Sequence, residues 1–150
     1  MLIVVSKITS FLFSESKSWG AYAFVVVRLA IGGIWINADI PRWTAVAAGK
    51  PLTNNLVGIL FGTLFGPSMV PSLTLFFTIL ETLGAIAYIL GFATRLAAVW
   101  GVVEFAITGT NGLFRGALGD YSLMAGSLVL LLNGSLLLSI DGLIAKSKKV

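Results

Sequence analysis

The sequence predicts an all-α fold, an integral membrane bundle of four helices, because its composition does not suit a water-soluble domain. Of the 150 residues, 57% are hydrophobic and 11% are charged, and the mean hydropathy is +1.00. Soluble domains carry about 25% charged residues. Four apolar stretches of bilayer length account for much of the chain. We therefore expect a single membrane domain over residues 1–150.

Each of the four predicted spans contains about 20 residues, which is about 30 Å of helix and matches the hydrocarbon core of a bilayer. The spans cover residues 19–38, 70–91, 94–113 and 121–140. Four crossings place both termini on the same side of the membrane.

Basic residues outside the spans predict the orientation. The side with both termini and the second connection carries Lys7, Lys17, Arg95, Lys146, Lys148 and Lys149, and the other side carries Arg42, Lys50 and Arg115. Because loops rich in Lys and Arg stay in the cytoplasm, we expect a multi-pass protein of the cell membrane with both termini cytoplasmic. These residues flank apolar runs and form no single basic face, so no nucleic acid partner is expected.

Two further apolar segments are too short to span a bilayer. Residues 1–13 contain Lys7 within an apolar run, which predicts an interfacial helix. Residues 56–65 predict a short re-entrant or interfacial segment in the outer connection. Glycines spaced four residues apart punctuate this second segment at Gly58, Gly62 and Gly66. On a helix they would form one face that approaches a span closely, and a glycine-rich loop without such packing is the alternative.

Three ionisable residues lie inside the predicted spans, where hydrocarbon disfavours them. Arg28, Glu81 and Glu104 all fall about 13–15 Å from the cytoplasmic boundary at 1.5 Å per residue. We expect them to converge in one polar cluster, in which the guanidinium neutralises one carboxylate. The second carboxyl would then be able to exchange a proton, and Tyr88 on the face of Glu81 would offer a hydroxyl to a ligand. An ion pair that only fixes helix packing is the alternative.

The chain contains neither Cys nor His. It therefore has no thiolate, no Cys/His metal site and no histidine ligand for haem, and no metal or haem is expected to be ligated by this chain. Any redox centre must come from a substrate or a partner.

Three sequence motifs carry a resemblance to a known family. They are RLAIG at residues 28–32, ETLG at 81–84 and LGFATRLAA at 90–98. With them the chain resembles the DoxX/DoxD-like membrane proteins from about residue 28 to residue 141. The long outer connection after the first span makes the DoxD branch the most similar. Arg28, Glu81 and Arg95 fall on the family pattern, and Glu104 does not.

The resemblance implies a function in the respiratory chain and in sulfur metabolism. DoxD-like proteins are the membrane subunit of an archaeal thiosulfate:quinone oxidoreductase, which works with a second small subunit. The implied reaction oxidises thiosulfate to tetrathionate outside the cytoplasm and passes the electrons to a membrane quinone.

Site residues were assigned to this reaction by their chemistry. We expect the quinone, as substrate, near Arg28, Glu81 and Tyr88. Arg28, Glu81 and Glu104 are the candidate catalytic residues, and Glu104 is the expected proton donor. Thiosulfate is a dianion, for which Arg42, Lys50 and Arg115 are the candidate ligands at the outer face. Ordinary solvated loop charges are the alternative for Arg42.

Two other functions fit the same residues. The chain could be a non-catalytic accessory subunit of a respiratory terminal quinol oxidase complex, with oxidase subunits as partners. Alternatively, it could be a small transporter or proton-conducting bundle built on the carboxylates in its spans. In each case membrane lipid is a partner.

Overall fold

The computed structural model describes residues 20–53, 56–111, 117–135 and 137–147. The regular secondary structure of these residues is helical throughout. The helices are α1 (Gly20–Ala47), α2 (Leu56–Phe65), α3 (Val70–Leu90), α4 (Thr94–Asn111), α5 (Ala117–Asn133) and α6 (Ile140–Ser147), with a 3-10 turn at Pro67–Met69. The all-α prediction is confirmed for this part of the chain. Two stretches, Ala21–Ala47 and Pro67–Leu90, are long and apolar enough to cross a membrane. The interfacial helix predicted at residues 1–13 lies outside the described residues.

Helix α1 is longer than the predicted first span. It continues past residue 38 to Ala47 and contains Pro41. A proline removes one backbone hydrogen bond and crowds the preceding turn. Here Pro41 is exposed, while Asp39 and Arg42 on either side of it are buried against α3. These contacts hold the helix together across the proline.

The third predicted span begins where expected, and the fourth ends earlier than expected. Helix α4 begins at Thr94, as predicted. Helix α5 ends at Asn133 and does not reach residue 140, because Gly134 adopts a φ of +70° and turns the chain toward α6.

Helices α1 and α3 run antiparallel. Gly32, just before the middle of α1, packs against Ala85 in the second half of α3, and Arg42, near the end of α1, contacts Glu81. A Cβ on Gly32 would lie 3.0 Å from the carbonyl oxygen of Ala85, so the two backbones approach closely.

Helices α4 and α5 also run antiparallel. Gly101 packs against Ser127, and Gly109, about two turns further along α4, packs against Tyr121. The core between the two helix pairs consists of Ile31, Trp35, Ala85, Tyr88, Ala97, Ala98, Phe105 and Leu130.

The outer surface is rich in large apolar side chains. Leu118 is 85% exposed, Leu64 76% and Leu96 68%. Ionisable side chains such as Glu81 and Glu104 are instead buried. This distribution is the reverse of that in a water-soluble domain, where ionised groups face the solvent.

The predicted glycine face of residues 56–65 is confirmed. This segment is helix α2, and it packs along the start of α3. A Cβ on Gly58 would lie 2.7 Å from the Cα of Thr74, and a Cβ on Gly62 would collide with Val70. Gly66, with a φ of +106°, makes the turn between the two helices.

We expect Gly58→Ala to lower the free energy of unfolding by about 1–3 kcal/mol, because the added Cβ overpacks the contact with Thr74. Gly33→Ala is the matched control, since no atom lies within 4 Å of its added Cβ. Thermal unfolding of the purified protein in detergent measures both. Equal stability of the two variants would contradict close packing of α2 on α3.

Candidate functional site

Four buried charged side chains lie between α1, α3 and α4, and we call them the acidic cluster: Asp39, Arg42, Glu81 and Glu104. One nitrogen of Arg42, Nη1, donates to Oδ1 of Asp39 at 2.8 Å and also to Oε2 of Glu81. Arg42 therefore bridges a carboxylate on its own helix and a carboxylate on α3. Such a contact is both a charge pair and a link between helices.

A second chain of hydrogen bonds fixes Asp39. Thr82 Oγ1 on α3 donates to the other carboxylate oxygen, Oδ2, at 2.6 Å. Trp43 Nε1 on α1 donates to Thr82 Oγ1 at 2.8 Å. Both oxygens of Asp39 are thus bonded, and the acid is held in one orientation.

Glu104 is bonded on one side only. Trp35 Nε1 donates to its Oε1 at 3.2 Å. Its Oε2 is buried and has no hydrogen-bond partner among the described residues. A buried carboxyl oxygen without a partner is costly, and it can carry a proton or receive a hydrogen bond from a ligand.

The acidic cluster contains more acids than bases. Glu104 lies within electrostatic range of Glu81, Arg42 and Asp39, so the described residues bring three carboxyl groups and one guanidinium together. If every group were ionised, the net charge would be 3 − 1 = 2 negative charges in a buried place. Protonation of at least one carboxyl relieves this repulsion.

The expected convergence of Glu81 with Glu104 is therefore found, but the arginine is a different one. Arg28 donates from Nη2 to the carbonyl oxygen of Leu138, and its Nη1 lies against Gly91. Gly91 follows the last residue of α3, about 15 Å along the helix from Glu81. The prediction that Arg28 joins the two glutamates is wrong. The depth count started at residue 19 and put Arg28 level with Glu81, whereas α1 aligns with α3 so that Arg42 lies level with Glu81 and Arg28 with Gly91.

The prediction that Arg42 lies at the outer face and binds thiosulfate is also wrong. Arg42 is 7% exposed and lies within α1, so it does not present a solvated guanidinium to thiosulfate. Lys50 is exposed after the end of α1. Arg115 lies outside the described residues.

A seven-residue spacing in the sequence indicates that Arg42 belongs to the same helix as Arg28. Arg28, Trp35 and Arg42 are spaced seven residues apart, and such residues lie on one face of a helix. All three are buried. The repeat continues through Pro41, which had suggested that the helix ends earlier.

The hydroxyls expected to bind a ligand have partners within the protein. Tyr88 donates to Ser127 Oγ at 3.2 Å, and Thr78 donates to the carbonyl oxygen of Thr74 at 2.8 Å. The Tyr88 ring packs on Trp35 with centroids 5.3 Å apart. Tyr88 thus lies in the core beside the acidic cluster, with its hydroxyl turned to α5.

Trp100 is a site residue that the sequence did not single out. It lies one turn before Glu104 on α4, and its ring stacks on Phe77 of α3 with centroids 5.6 Å apart. Its indole Nε1 is buried and has no hydrogen-bond partner among the described residues. An unused donor and an unused carboxyl oxygen therefore lie at neighbouring positions of α4.

In the part of the chain that the structure describes, no three Cys, His, Asp or Glu side chains are placed to hold a metal ion. No family model matches the sequence, and neither the curated proteins nor the solved structures include a match.

Replacing Arg42 by Gln should lower the free energy of unfolding by about 3–5 kcal/mol, because two buried carboxylates lose their counter-charge. In Arg42→Gln/Glu81→Gln the loss should be smaller than the sum of the two single losses. In the control pair Arg28→Gln/Glu81→Gln the losses should add to within about 0.5 kcal/mol. Denaturant unfolding in detergent measures all five variants. Equal coupling in both pairs would contradict the assignment of Arg42 as the partner of Glu81.

Proposed function

We propose that this chain is a multi-pass subunit of the cell membrane that supplies protons for quinone reduction. Its apolar exterior and its two long apolar helices support the membrane location. In this proposal α4 and α5 complete a four-helix membrane bundle, and both termini face the cytoplasm.

The observation that carries the proton role is the unpartnered Oε2 of Glu104. Reduction of a quinone consumes two electrons and two protons, and a buried acid beside the ring can deliver a proton without admitting water. Glu81 and Asp39 lie within electrostatic range of Glu104, and repulsion among the three carboxyl groups favours a proton on one of them. Arg42 keeps Glu81 and Asp39 in place.

The surroundings of Glu104 are suited to a flat aromatic headgroup. Trp35, Phe77 and Trp100 form an aromatic core beside Glu104, and the indole N–H of Trp100 is an unused donor for a quinone carbonyl. This replaces the predicted contact with the Tyr88 hydroxyl, which is engaged by Ser127. The proposal keeps the predicted roles of Glu81 and Glu104, and it assigns Arg28 no role in quinone binding or catalysis.

The resemblance to DoxX/DoxD-like proteins extends the proposal to the electron donor. Two thiosulfate ions joined through a new S–S bond give tetrathionate and two electrons, which balance the reduction of one quinone to a quinol. Lys50 and Arg115 remain the candidate outer cations for the dianion, together with a second small subunit. Electrons pass between substrates or through that partner, since this chain has no Cys or His to ligate a carrier.

Glu104→Gln should lower thiosulfate-dependent quinone reduction by about 100-fold or more, because the amide cannot donate the transferred proton. Glu104→Asp should retain part of the activity, and Lys146→Gln, at the opposite end, should leave it unchanged. The assay uses the complex purified from native membranes and a soluble quinone analogue. Wild-type turnover by Glu104→Gln would overturn the proposal.

A proton-conducting bundle is the second candidate, and a row of buried polar residues favours it. Thr108 lies one turn beyond Glu104 on α4, and Asp120 on α5 packs beside Gly109. These groups extend from the acidic cluster toward the far end of α4.

If conduction is the function, liposomes that contain the purified chain should show proton flux driven by a pH gradient, and Glu104→Gln should abolish it. Thr110→Val, an exposed change on the same helix, is the control. A pH-sensitive dye inside the liposomes measures the flux. Absence of flux in the wild type excludes this candidate and leaves the quinone proposal intact.

A further inference from the structure

A second buried charged cluster lies at the opposite end of α1 from Arg42, around the turn between α3 and α4. We call Arg28, Arg95 and Asp141 the basic cluster. Their exposed fractions are 2%, 4% and 3%. Both guanidiniums interact electrostatically with the Asp141 carboxylate. The two buried cations thus face the same carboxylate.

Both carboxylate oxygens of Asp141 accept hydrogen bonds from backbone N–H groups. Its Oδ1 accepts a hydrogen bond from the Ala93 N–H at 2.8 Å, and its Oδ2 accepts one from the Thr94 N–H at 2.9 Å. The carboxylate thereby caps the start of α4. It forms this cap from the first turn of α6 and cannot also neutralise two guanidiniums.

Two carbonyl groups, one in the turn between α5 and α6 and one in the last turn of α5, accept hydrogen bonds from the guanidiniums. Arg28 donates to Leu138, and Arg95 donates to Leu132 near the end of α5, at 3.4 Å. The C-terminal end of a helix carries about half a negative charge, which favours a cation there. These partial charges do not supply acceptors for the other N–H groups of Arg28.

Several hydrogen-bond donors of this end are left over. Nε and Nη1 of Arg28 are buried without a partner among the described residues, and so are the hydroxyls of Thr94 and Ser135. Thr94 adjoins the cap made by Asp141, and Ser135 follows Gly134, against which Arg95 packs. Unused donors and two buried guanidiniums therefore occur together.

We infer that the basic cluster binds a phosphate-type oxyanion. A phosphate group combines negative charge with several acceptor oxygens, and guanidinium and hydroxyl donors are its usual protein ligands. The anion is either the headgroup of an anionic lipid at the end of the bundle or free phosphate. Arg28 is its main ligand, and the Thr94 and Ser135 hydroxyls complete the site.

The test measures thermal stability and bound lipid for the whole chain purified in an uncharged detergent. Phosphatidylglycerol is compared with phosphatidylcholine, and inorganic phosphate is compared with chloride at equal ionic strength. Native mass spectrometry counts the lipids retained. Arg28→Gln should weaken the apparent affinity for the stabilising anion by about tenfold or more, the loss expected for charged hydrogen bonds.

Thr94→Val/Ser135→Ala tests the same site without removing a charge, and it serves if Arg28→Gln does not fold. Thr110→Val, an exposed change at the other end of α4, is the control and should bind like the wild type. Stabilisation by phosphatidylglycerol alone identifies a lipid headgroup, and stabilisation by inorganic phosphate identifies a soluble anion. No stabilisation by either, or equal stabilisation of the wild type and both site variants, would overturn the inference.

Discussion

The bridge that Arg42 makes between Asp39 and Glu81 is the constraint on which the rest of the structure depends. One nitrogen contacts a carboxylate on α1 and a carboxylate on α3. A buried charge is tolerated only when it is paired and hydrogen-bonded, so this bridge permits three ionisable groups in the interior. It also sets the register of α1 against α3, because a slip by one residue would turn Arg42 away from Glu81.

The register in turn determines what each remaining polar side chain faces. With Arg42 level with Glu81, Trp35 lies against Gly84, where only a glycine leaves room for its ring. From this position Trp35 donates to Glu104 on α4. Glu104 therefore joins the acidic cluster through an aromatic side chain rather than through a guanidinium. Because the indole bonds one oxygen only, the other oxygen remains available for chemistry.

Much of the helical structure could be predicted from local signals. The starts of α3 and α4, and the glycine face of α2, follow from proline, glycine and apolar spacing that act within one or two turns. The end of α1 could not be predicted in this way. Pro41 is a local signal for a helix end, and it is outweighed by pairing with Glu81, which lies 39 residues away.

The same limit explains the success and the failure at the candidate site. Glu81 and Glu104 were singled out because an acid within an apolar span demands a partner, and they do lie near each other. The choice of arginine depended on how α1 aligns with α3, which a count from the predicted start of the span does not determine, so the pairing with Arg28 is wrong. Asp39 and Arg42 were expected in a connection because the first span was expected to end at residue 38. The unused donor of Trp100 depends on the packing of three helices and leaves no trace in the spacing of residues.

The positions of Arg28 and Arg42 give the two ends of the molecule opposite character. They lie on one face of α1, 14 residues and about 21 Å apart. Around Arg42 carboxyl groups are in excess, whereas around Arg28 guanidinium groups are in excess. Trp35 and Tyr88 fill the space between, where the core is aromatic and apolar. In the two proposals a proton is exchanged at one end and an oxyanion is bound at the other, and the apolar middle keeps the two sets of charges from neutralising each other.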